Sequence, residues 1–263
     1  MDENKKEEAG AVKNKIPQPT FPLFFSNPVP LEPGRHGNAG IRIDLPPVFA
    51  GATNSIPLTI GEFVEAAKYY PIVFTGEDPV APALIVGIEQ ENDCIGKDGK
   101  WLADMYVPAY VRKYPFIFLQ TGNEQFTLCI DEQASAYVTV AEKEDQKFFE
   151  GTMPTEFTRN ALKFCTAFQE EYTITRRFCD ELKALDLLMP GRSDAQLVSG
   201  RTIRLSGFQL IDQKKFAQLP DNTILRLHKE GFLPLIYYAL MSNSNWKSLV
   251  DKAALREVIA SAA

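Results

Sequence analysis

Residues 68–74 read KYYPIVF and residues 112–118 read RKYPFIF. Tyr70, Pro71 and Phe74 recur as Tyr114, Pro115 and Phe118, each displaced by the same interval. A proline cannot continue a helix, and it pushes the residue before it toward extended backbone. The residues that follow each proline are β-branched or aromatic, as strands prefer. Lys68 in one copy, and Arg112 with Lys113 in the other, sit where a helix C-terminus favours positive charge. Each phrase therefore reads as a joint at which a short helix stops and a strand begins.

Upstream of the first joint, Thr59 is placed as an N-cap, with Glu62 three residues on completing a capping box, and the helix runs through EFVEAAKYY. Downstream, GEDP is a turn and ALIVGI is a wholly apolar strand of the kind found inside a sheet. KDGK marks a hairpin turn. The second copy keeps the order: YVPAYVRK as a helical turn, FIFLQ as a strand, TGNE as a turn and QFTLCID as a returning strand. The result is two helix–strand–strand units.

Six prolines between residues 17 and 34 make that stretch an extended arm, with Phe21 to Phe25 laid on the body. Ile41 to Leu45 suggests a short strand. From Thr155 the period changes. Ala161, Cys165, Phe168, Tyr172, Thr175, Cys179 and Leu182 step by four and three along one long helix that ends before LLMPG. Phe157, Phe164, Phe178 and Leu185 widen this apolar face, so it is expected to cross the core; a homodimer seam is the competing reading. A hairpin, AQLVSGRTIRL, turns at Ser199-Gly200, and helices follow near Gln213–Leu219, Asn222–Lys229, Phe232–Met241 and Trp246–Ile259.

Composition narrows the function. The chain has 263 residues, 45% hydrophobic and 24% charged, which suits a globular protein. A net charge of −6 without a basic run argues against nucleic acid. The opening residues 1–16 are polar and balanced in sign, and read as a disordered tail without the apolar stretch of a secretory signal. The best apolar run, FLPLIYYALM, is too short for a bilayer, which needs roughly 20 residues. Cys94, Cys129, Cys165 and Cys179 form no C-x-x-C pair. Cys165 and Cys179 would stand about 21 Å apart on one helix, beyond disulfide reach. Four reduced thiols and a cytoplasmic location are expected.

No G-x-S-x-G, H-E-x-x-H, Walker or G-x-G-x-x-G motif occurs, so no cofactor and no metal are expected. Of the two histidines, His228 reads as a polar helix-end residue. His36, in GRHGNAG, reads as a solvated loop residue that is also a candidate anion ligand. Asp78 in the acidic turn and Asp131 at the end of the equivalent later strand would come together if both units shared one sheet. The densest candidate is the stretch from Trp101 through Tyr106, Tyr110 and Arg112 to Tyr114, since aromatic and Arg residues together furnish hot spots and ligand clefts.

The phrases YYPIVFTGEDPVAPALIVGI, GKWLADMYVPAYVRKYPF, LCID and GFQLID resemble the SapC family of bacterial proteins from about His36 to Trp246. The resemblance implies a soluble protein linked by name to a surface-layer system. It also implies gene neighbours of the outer-membrane receptor and flavin-dependent halogenase types, and it transfers no catalytic residues. The expectation is an α+β fold with a mixed or antiparallel sheet built from the two units and packed on the long helix and a helical C-terminal region. Residues 17–263 would form one domain, with a sheet-rich part at 35–150 and a helix-rich part at 151–263. The expected role is binding or accessory, with an unknown protein or small-molecule partner and a link to surface-layer or envelope biology. The alternative is an accessory or modifying enzyme beside halogenase- or dioxygenase-type partners. A pocket lined by Trp101, Tyr110, Arg112 and a carboxylate would favour the enzyme.

Overall fold

A computed structural model describes residues 21–120, 126–196 and 200–261. The polar opening at 1–16, the TGNE turn and Ser199 lie outside the described residues. The arm carries β1 (Pro28–Pro30), then α1 (Pro33–His36) and β2 (Gly40–Ile41). A 3-10 turn at Val48–Ala52 precedes β3 (Ser55–Pro57). A second, at Ile60–Glu62, feeds α2 (Phe63–Ala66), which is followed by β4 (Ile72–Thr75) and β5 (Ala81–Ile85). The second unit supplies α3 (Ala109–Arg112), β6 (Phe116–Gln120) and β7 (Phe126–Asp131). Four two-residue strands follow: β8 (Tyr137–Val138), β9 (Gln146–Lys147), β10 (Phe149–Glu150) and β11 (Met153–Pro154). Then come α4 (Glu156–Ala184), the hairpin β12 (Leu188–Gln196) and β13 (Thr202–Ile211), and four helices: α5 (Gln213–Ala217), α6 (Asp221–Lys229), α7 (Leu233–Ser242) and α8 (Trp246–Ser261).

Both joints behave as the sequence predicts, because each strand begins on the residue after its proline. The capping box is present: the Thr59 backbone N–H and hydroxyl donate to Glu62 Oε2 at 3.1 and 3.0 Å. The first helix is shorter than expected, ending at Ala66 and continuing as a turn to Tyr70. The strand expected at Ile41–Leu45 is confined to Gly40–Ile41.

The two units do not share a sheet. The first enters a five-stranded antiparallel sheet of order β12-β13-β4-β5-β3, and the second forms β1-β7-β6 with the arm. The long C-terminal hairpin meets β4 at Gln209 opposite Phe74, so the larger sheet draws strands from both ends of the chain. Its centre, β4 and β5, is buried on both faces. Ile72, Phe74 and Leu84 enter the main core with Phe178, Leu182 and Ile236, while Val73, Ala83 and Ile85 face Leu249 and Ala253 of α8. Two covered faces explain why ALIVGI shows no polar alternation.

The 29-residue α4 starts at Thr155, whose hydroxyl caps the Thr158 N–H. It touches β5 of one sheet and β6 of the other, and so spans the two units. Cys165, Thr175, Cys179 and Leu182 of its stripe are buried within the chain's own core, as the core-crossing reading expects, and Tyr172 is exposed. All four cysteines are free and buried.

Candidate functional site

The aromatic corner grows from the segment before the second joint. Pro108 fixes the entry to α3, and six residues later the chain turns into Tyr114-Pro115. Trp101 Nε1 donates to the Tyr70 hydroxyl at 2.8 Å, and that hydroxyl donates to the Tyr106 carbonyl at 2.6 Å. Burial pushes the Tyr70 phenol far above its ordinary range. The Tyr106 hydroxyl donates to Glu62 Oε1 at 2.9 Å and accepts Arg112 Nη2 at 3.0 Å. Its phenol is pushed up to about 12, by burial first and by the Glu62 charge second. Arg112 Nε donates to the Val107 carbonyl at 3.0 Å, and its guanidinium lies 5.3 Å from the Phe164 ring centroid. Trp101, Tyr106 and Arg112 are thus joined in one network through Tyr70, a residue whose sequence role was that of a joint.

Tyr110 and Tyr114 serve the arm instead. The Tyr110 hydroxyl donates to the Leu23 carbonyl at 3.1 Å, and the Tyr114 ring packs on Phe25 and Phe49 with centroids at 5.2 and 4.2 Å. Between them sits Lys113, 4% exposed, its ammonium 4.6, 4.4 and 5.3 Å from the ring centroids of Phe25, Tyr110 and Phe168. Burial lowers this amine to about 8, while the negative ring faces favour its charged form.

The carboxylate pair expected from the repeat does not form, because the two units entered different sheets. Asp131 is fully buried and accepts the Ser26 and Asn27 N–H groups, both at 2.9 Å, and the Gln133 N–H at 3.1 Å. It anchors the arm. Asp78 is exposed, 3.6 Å from the Lys183 ammonium. His36 is also corrected. Pro33 starts a helical turn that buries it completely, and its Nε2 lies 3.2 Å from Glu132, which also takes Arg35 in a two-point ion pair. Arg35 holds the Glu132 carboxyl below the usual range.

In front of the corner lies a cleft of about 560 Å³. Its apolar wall includes Leu45, Phe49, Phe116 and, from the first half of α4, Phe157, Ala161 and Phe164. Trp101, Arg112 and Tyr114 line it; Tyr106, Tyr110, His36, Asp78 and Asp131 do not. Among the described residues its charged lining is Arg42, Arg112 and Lys113, with no carboxylate. Sequence reading missed Arg42, which lies in the short span expected to be strand. Phe157 and Phe164 were visible there only as the widened apolar face of the long helix.

Among the described residues no group of three or more His, Cys, Asp or Glu side chains could hold a metal ion, and no helix is long and apolar enough to cross a membrane. Fold and site together define an α+β chain with an aromatic cleft whose charged lining is basic among the described residues. The SapC family model matches residues 31–249, and the chain belongs to the SapC family. No curated protein and no solved structure matches it.

Proposed function

We propose that this SapC-family chain is a non-catalytic binding protein whose small-molecule ligand occupies the cleft beside Trp101 and Arg112. The observation that carries this reading is the lining itself. The cleft falls within the size range of small-molecule sites, roughly 300–1,000 Å³. It is mostly apolar, and among the described residues neither Tyr110 nor any carboxylate lines it. Without a lining carboxylate or imidazole among the described residues the cleft lacks the commonest general bases, and its lining amine, Lys113, is enclosed by ring faces, which sets the modifying-enzyme alternative behind the binding reading. Four buried free thiols support the reading of a reducing compartment, and with it a cytoplasmic protein in the surface-layer or envelope role that the family name suggests.

The test is titration with the neutral apolar fluorophore N-phenyl-naphthylamine. Saturable binding at one site is expected, and Ala161→Trp, which fills the cleft from α4, should abolish it while circular dichroism stays unchanged. Binding that is non-saturable, or equal in the filled variant, would overturn the reading. Native mass spectrometry of the freshly purified protein would then look for a co-purified molecule displaced by the same probe.

A further inference from the structure

We infer that the ligand of this cleft is an organic anion, an apolar monocarboxylate whose carboxylate is taken by Arg112 with Arg42 as the second cation, and whose body lies on Phe157 and Phe164. This rests on the binding reading above and names its ligand class. The chain is acidic, with 34 Asp and Glu against 28 Lys and Arg, yet among the described residues every charged one lining the cleft is basic. A separate cavity against the C-terminal hairpin is unlike it, lined by Glu77 and Asp186 as well as Lys183. A cleft of one sign with low-dielectric walls concentrates ions of the other.

The cleft cations are also uncompensated. Elsewhere Arg35, Arg192, Arg201, Arg204, Arg226 and Arg256 each meet a carboxylate, while Arg159 donates to the Pro154 carbonyl and Arg176 and Arg177 have no ion pair among the described residues. Among the described residues Arg112 donates only to neutral acceptors, the Val107 carbonyl and the Tyr106 hydroxyl, and Glu62 reaches it only through that hydroxyl. Arg42 is exposed and has no ion pair among the described residues. Lys113 has ring faces around its ammonium and no carboxylate partner among the described residues.

Geometry sets the class. Two hydrogen bonds and the Phe164 ring fix the Arg112 fork, so its remaining N–H donors are already oriented. A fixed guanidinium matches a planar carboxylate at two points. The apolar remainder of the lining disfavours a heavily hydrated dianion or a polyol, whose polar groups would be left without partners.

Isothermal titration with naphthylacetate and with its neutral match, naphthylethanol, tests this at pH 7. The carboxylate should bind roughly tenfold or more tightly than the alcohol. Added salt should weaken the carboxylate alone. Arg112→Gln should bring the two ligands to equal affinity, and Arg42→Gln, at an exposed position, should narrow the gap in the same direction. Equal affinities in the wild type, or a carboxylate preference that survives both substitutions, would overturn the anion inference and leave the cleft reading standing. Failure of both ligands to bind, with N-phenyl-naphthylamine also excluded, would overturn both.

Discussion

The Glu62 carboxylate accepts the backbone N–H of Ala109 at 2.6 Å, across 47 residues of chain. It thereby ties the entry of the first unit's helix to the start of the second's. The same side chain accepts from Thr59 and Tyr106, so the buried carboxylate faces only donors. Glu62→Gln substitutes an amide that sets N–H against N–H on one side. It should lower stability by about 1–3 kcal/mol, the cost of leaving buried donors unmatched. Urea melts measure the loss. A variant as stable as the wild type would show that the link between the units is incidental.

Lys113 makes stability depend on pH in the direction opposite to a salt bridge. In the folded chain the amine is lowered to about 8 from 10.5. Between those values the unfolded chain holds more protons, so stability should rise with pH through that window. Below it the buried charge opposes folding, and the faces of Phe25, Tyr110 and Phe168 offset part of that cost. Lys113→Met should therefore be more stable than the wild type at pH 7, by on the order of 1–3 kcal/mol, with the difference shrinking toward pH 10. Denaturant midpoints at both pH values check the sign. A less stable Met variant at pH 7 would mean that the rings outweigh the burial.

On α4 the two phenylalanines should separate. Phe178 is fully buried among Phe63, Phe74 and Phe232, whereas Phe168 is only partly buried. Phe178→Ala should cost about 3–5 kcal/mol. Phe168→Ala should cost less, and it also removes one wall of the Lys113 enclosure. Melts at two protein concentrations test whether either loss depends on association; independence is expected of a stripe packed within its own chain.

The cysteines should be silent until the chain unfolds. Burial pushes the Cys94 and Cys179 thiols up to about 12 and Cys165 to about 11, and raises Cys129. At pH 8 a disulfide reagent should find almost no reactive thiol in the native protein and four in denaturant. Rapid native reaction of any one of them would contradict its burial.

What could be read from sequence was local. The joints, the Thr59–Glu62 box, the start of α4 at Thr155 and the order of the C-terminal helices all follow from prolines, caps and periods that act within a few residues. What could not be read was which strands meet. The repeat suggested that Asp78 and Asp131 share a sheet, but β4 pairs with the distant β13, and β7 pairs with the arm. His36 looked solvated because glycines surround it, and its burial depends on Glu132, far along the chain. The aromatic and Arg content of the corner was legible. Its division between a cleft wall and an arm anchor was set by tertiary packing, and Arg42 carried no local signal at all.

The arm has one more consequence, for association. Leu31 donates its N–H to the Leu128 carbonyl at 2.9 Å. Alternation along β1 then turns the backbone of Val29 toward β7 and the backbone of residues 28 and 30 outward. Both outward positions are proline, which has no N–H to offer. A strand approaching this margin would meet acceptors without donors, so the sheet ends in a border that cannot template edge-to-edge aggregation.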